Sequence, residues 1–110
     1  MSDYNPDCWV VFEIDVPGHP KHQKVLAGWY GGYLGSDSWQ INSGITKIEE
    51  EPKVFLFHGA SGSVYRCPKH AQKMSSLMNG VWHTVQNTVK DAGGTARIVE
   101  SPAEFKGLDT

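Results

Sequence analysis

The first ordered pattern is "CWVVFEIDV" at residues 8–16. Cys8, Val10, Phe12, Ile14 and Val16 recur with period two, which is one face of a strand. Trp9 and Val11 share the other face with Glu13 and Asp15, so that face reads as covered at one end and solvated at the other. "PGHPKHQ" is a turn built on Pro17, Gly18 and Pro20. "KVLAGWY" reads as a second strand with Val25, Ala27 and Trp29 on one side. "GGYLGSDS" is a loop or bulged hairpin end. "WQINSGITKIEEE" reads as a third strand, bulged at Gly44 and stopped by Pro52. "KVFLFHG" and "SVYRC" are a fourth and a fifth.

The period then changes. Ala71, Met74, Leu77, Met78, Val81, Trp82, Val85, Val89 and Ala92 follow the three-and-four spacing of an amphipathic helix. Pro68 suits a first helical turn and Gly93-Gly94 a helix end, so the pattern predicts a helix over 68–92. "TARIVE" is a last short strand. Short links between successive strands favour an antiparallel meander. The expected fold is α+β: a β-meander sheet of about five to six strands packed against one long C-terminal α-helix, in two layers. Residues 1–110 read as one domain, with 1–7 and 101–110 as loose tails.

Composition narrows the function classes. In 110 residues there are four Trp, four Tyr and four Phe, enough for an aromatic core despite the small size. A formal charge of −2 argues against a nucleic-acid coat protein and against an acidic DNA mimic. No apolar run approaches the roughly 20 residues of a membrane span, and "MSDYNPDCWVV" lacks the layout of a signal peptide. The expectation is a soluble, cytoplasmic protein with no membrane partner. Cys8 and Cys67 then read as free, buried thiols.

Several segments invite chemistry. In "GWYGGYLGSDSWQINSGI" (28–45), Gly31, Gly32 and Gly35 serve a chain reversal, and Trp29 and Trp39 are expected to pair across it. Tyr30, Tyr33 and Trp39 at its tip would make an adhesive surface. "HGASGSVY" lacks the endings of a Walker loop and the spacing of a nucleophile elbow; it is a hairpin, or else a nest of amides for an anion. His19-x-x-His22 and Cys67-x-x-His70 have metal-like spacing, yet they lie in separate segments with one cysteine between them. No metal, cofactor or catalytic constellation is expected. Arg66, Lys69, His70 and Lys73 form a cationic cluster at the expected helix start, where they could collect an anion or an acidic partner.

Gly28, Trp29, Gly31, Gly32, Tyr33, Ser38, Trp39, Asn42, Ser43, Gly44 and Ile45, with Gly59, Ser61, Gly62, Ser63, Tyr65 and Cys67, carry a resemblance to small uncharacterised proteins of bacteriophages and prophages. It covers residues 8–67. It implies a single-domain accessory protein that binds and redirects a host protein. The expected function is a non-enzymatic binding module with a protein partner, through Tyr30, Gly31, Gly32, Tyr33, Arg66, Lys69 and Lys73. The alternative is a nucleic-acid or anionic-ligand binder that uses the cations and the Gly-Ser loop.

Overall fold

The protein is described from a computed structural model, which covers residues 3–32 and 35–107. The run at 8–16 sets the architecture, because its two faces are both covered. Strand β2 (Cys8–Asp15) is buried from Cys8 through Glu13. Trp9 and Val11 point one way, into a core that also holds Phe57 and Tyr65; Cys8, Val10 and Phe12 point the other way, against Met78 and Trp82. A strand apolar on both sides is a central-layer strand, and that is its position here.

Among the described residues eight strands form two sheets. The first sheet has β3 (His22–Trp29) beside β2, then β4 (Ser38–Ile41) at one edge and β8 (Thr95–Val99) at the other. All its pairings are antiparallel. The second sheet is an antiparallel meander of β5 (Ile45–Glu50), β6 (Val54–Gly59) and β7 (Val64–Pro68), with β1 (Asp3–Tyr4) added parallel to β7. The two sheets pack face to face, and helix α1 (Ser76–Asp91) covers the outer face of the first. Among the described residues the fold is therefore α+β with one α-helix, in the C-terminal half, but in three layers, sheet on sheet on helix. The two-layer, single-sheet expectation is corrected.

The break lies inside "WQINSGITKIEEE". This segment is two strands in different sheets, not one bulged strand. Asn42 ends β4: its N–H donates to the Val25 carbonyl (3.1 Å), while its Oδ1 accepts from the Val25 N–H (2.9 Å). Gly44 then turns the chain with φ +133°, a region that side chains disfavour, and β5 begins in the other sheet.

The helix also begins later than its periodicity suggests. Pro68 ends β7, opposite Val54, and a short 3-10 turn follows at Lys69–Ala71. Ser75 is the true N-cap; its Oγ accepts from the Met78 N–H at 3.2 Å. The far end matches expectation. Gly93 (φ +80°) and Gly94 donate to the Lys90 and Val89 carbonyls, a Schellman ending.

The intersheet core is a group of aromatic rings around Trp9. Its ring centroid lies 5.3 Å from that of Phe57 and 6.3 Å from that of Phe105. Contacts of this kind add about 0.5–1.5 kcal/mol each beyond area burial. The Trp9 Nε1–H donates to the Pro68 carbonyl at 2.7 Å, tying the two sheets together. Phe105 arrives from residues 101–107, which were read as part of a tail; here they lie on the core, with Phe105 6% exposed. The Ile48 N–H donates to the Gly107 carbonyl at 2.8 Å, so this segment also covers the β5 edge.

Candidate functional site

Among the described residues, no hydrogen bond or ion pair joins the hairpin residues singled out by sequence to the cations. Tyr30 is 47% exposed just past β3; its N–H donates to Asp7 Oδ2 (2.9 Å), and the Gly31 N–H donates to Asp37 Oδ1 (3.0 Å). The Gly32 N–H donates to the Ser36 carbonyl at 2.8 Å. Tyr33 lies outside the described residues. Arg66 is on β7, between the inward-facing Tyr65 and Cys67, and so points out of the second sheet. It pairs with Glu51 at 3.5 Å. Lys69 pairs with Glu50 and lies 4.9 Å from the centroid of the Phe55 ring. Lys73 stands apart, on the connector beside Val10 and Ile98. The cationic cluster is thus not at a helix start, and Arg66 and Lys69 already meet the Glu50-Glu51 strand end.

The Gly-Ser loop spends its amides internally. The Ala60 N–H donates to the Gly44 carbonyl (3.0 Å), Ser61 to Ser43 Oγ (2.9 Å) and Gly62 to the Gly59 carbonyl (3.0 Å). The loop is clamped onto the Asn42–Gly44 crossover, which explains why the "NSG" and "GASGS" segments come together. Cys67 is fully buried, and burial pushes its thiol pKa well up; His70 is exposed. Among the described residues no group of three or more His, Cys, Asp or Glu side chains is placed to hold a metal ion.

The expected Trp29–Trp39 pair is corrected by the register. Gly28 stands opposite Trp39, and Trp29 opposite Ser38. Adjacent pairs face opposite sides of a sheet. Trp29 turns toward the intersheet core, where its ring meets Tyr4 at 6.2 Å. Trp39 turns to the helix side and is 47% exposed.

There it stands at a groove of about 330 Å³ between α1 and the β3–β4 edge. Phe12, Ile14 and Ile41 form the floor, and Val81, Val85 and Val89 of α1 form the wall. Among the described residues the one charged side chain in the lining is Lys24 of β3. Volume and lining are those of a ligand pocket, apolar with few polar groups. Gly28 makes the approach of the helix possible: a Cβ there would lie 2.4 Å from Met78 Sδ. The helix start is thereby seated on β3. The groove was missed in sequence because Lys24 alternates with Val25 and Ala27. Only their side of β3 was counted as core, whereas both sides are.

Glu13, expected at the solvated end of its strand face, is buried instead. It is 7% exposed and meets Gln23 Nε2 (3.2 Å), Arg97 (3.4 Å) and Lys106 (3.4 Å). Burial raises its pKa; the Gln23 hydrogen bond, then Lys106 and Arg97, outweigh that and hold it below the ordinary 4.5. Gln23 also bonds the Glu104 carbonyl (3.0 Å) and the Lys106 N–H (2.8 Å). This network fastens residues 104–106 and faces no cavity described above, so its role is structural.

No family model matches the chain, and comparison with curated proteins and with solved structures finds no significant match. No described helix is long and apolar enough to cross a membrane.

Proposed function

We propose that the protein is a non-enzymatic binding module and that its contact surface is the groove between α1 and the β3–β4 edge. The observation that carries this is Trp39, a large aromatic left 47% exposed on an edge strand, beside an apolar groove. Exposed apolar grooves of this kind mark binding sites. Among the described residues Lys24 is the single titratable side chain in the lining and has no acid–base partner there, which favours binding over catalysis. The test uses a neutral apolar dye, N-phenyl-1-naphthylamine. It should bind at one site, quench Trp39 by energy transfer and shift the backbone resonances of Ile41 and Val85. Val85→Glu should abolish this. A dye that binds the folded Val85→Glu protein as before overturns the assignment.

A protein partner, such as a host protein in a phage or prophage setting, is supported by a second observation. Tyr30, just past the end of β3, is a second large aromatic left 47% exposed, two residues beyond Gly28, which stands opposite Trp39. Tyrosine and tryptophan are the usual interface anchors. Anion binding at the Arg66–Lys69 cluster and the Gly-Ser loop has less support, because Arg66 and Lys69 have carboxylate partners and the loop amides are engaged.

A further inference from the structure

We infer that the groove takes a small amphipathic carboxylate, an apolar chain of about ten carbons with its charged end on Lys24. The inference rests on the groove being the binding site and adds the chemistry of its occupant.

The charge is the first ground. Among the described residues the ion pairs engage Lys21, Lys47, Lys69, Lys106, Arg66 and Arg97. Of the lysines with no carboxylate within 4.0 Å, Lys53, Lys73 and Lys90 are exposed, where water solvates them. Lys24 alone is half-buried, and it stands in an apolar wall beside Phe12 and Ile41. An ammonium at the edge of an apolar groove, with no carboxylate within 4.0 Å among the described residues, favours an anion there, and the surrounding side chains require the rest of that anion to be apolar.

Length is the second ground. Trp39 stands opposite Gly28, and Gly28 lies four residues from Lys24 along β3, about 13 Å at about 3.3 Å per residue. The helix wall from Val81 to Val89 runs about 12 Å at about 1.5 Å per residue. An extended alkyl chain advances about 1.25 Å per carbon, given carbon–carbon bonds of about 1.5 Å. Ten carbons therefore reach from the cation to the tryptophan. The helix register agrees: α1 starts beside Gly28, where Met78 packs, and ends beside Asp15, where Gly94 packs. Its valines thus line the path between the two ends.

The probes are decanoate, decanol and decyltrimethylammonium, read by Trp39 fluorescence and calorimetry on the full chain. Decanoate should bind about tenfold or more tighter than decanol, as a hydrogen bond to a charged group implies, and the quaternary ammonium weakest. Lys24→Met should erase the preference and keep decanol binding; Lys24→Arg should keep the preference. Equal binding of decanoate and decanol to the parent protein overturns the inference, as does unchanged decanoate affinity in a folded Lys24→Met variant. If the neutral dye still binds in those cases, the groove stands and only the carboxylate is lost. If the dye fails as well, the groove assignment itself falls. Sedimentation supplies a further outcome: a dimer closed through the groove that decanoate cannot dissociate gives the site to a second copy and overturns the inference.

Discussion

The side chain of Gln23 donates to Glu13 Oε2 at 3.2 Å across the β2–β3 pair, and the same amide grips the chain at Glu104 and Lys106. One buried amide thus fastens residues 104–106 over the open end of the intersheet core. Replacing Gln23 with Leu should cost about 1–3 kcal/mol, since it leaves buried polar partners unpaired. Hydrogen exchange should quicken at Lys106 and at Ile48, whose N–H bonds the Gly107 carbonyl, while α1 stays protected. Uniform deprotection of α1 as well would show that Gln23 supports the whole fold instead.

Glu13 predicts an acid limb. Its folded pKa lies below 4.5, so its contribution to stability is whole above about pH 4.5 and is lost as pH falls through the folded value. In urea titrations the stability gap between the parent and Glu13→Gln should be constant from pH 7 to 5 and shrink toward pH 3. A gap that widens on acidification would reverse the assignment.

Tyr65 predicts an alkaline limb. Burial first, then Tyr4 and Cys67, push its phenol up to about 12 from 10.0. The unfolded chain therefore loses this proton before the folded one does, and stability declines as pH rises from about 10 to 12. Tyr65→Phe should remove part of that decline; an unchanged slope would place the cause elsewhere, in the buried Cys67 first.

Two tryptophans on the helix side of the first sheet should behave oppositely. Trp82 is 7% exposed and packs tilted against Phe12, ring centroids 5.4 Å apart, so Trp82→Ala should cost about 3–5 kcal/mol. Trp39→Ala should stay within about 0.5 kcal/mol of the parent, as surface changes do, while it weakens dye binding. A large loss of stability on removing Trp39 would return it to the core.

What the sequence made legible was element type wherever one periodicity ran unbroken. The apolar alternation of 8–16, the strands of 54–68 and the helical stripe through Met78, Trp82 and Val89 all lie where the pattern put them. What it hid was layering. Trp9 and Val10 are equally apolar, and nothing in a period-two pattern says which neighbour covers which face. The crossover at Asn42–Gly44 was hidden because a glycine between two strand-like runs marks a bulge or a sheet change equally well. The helix start was missed because Pro68 and Ser75 are both acceptable openings, and the choice falls to Pro68 pairing with Val54. Glu13 looked solvated because its cover, Gln23 and Lys106, comes from distant parts of the chain.

The order of the strands has a consequence for the protein during its synthesis. The β2–β4 and β5–β7 meanders are each contiguous in the chain, but β8, made after both, is the strand that completes the first sheet beside β2. Asp15 pairs with Thr95, which a ribosome adding about 5–20 residues per second supplies about 4–16 s later. Through that interval the long apolar strand β2 has one unpaired edge, and its helix-facing side is bare until α1 emerges. Such an edge is a template for pairing with a neighbouring nascent chain. The yield of folded protein should therefore depend on translation speed and on holdase chaperones far more than the stability of the finished fold does.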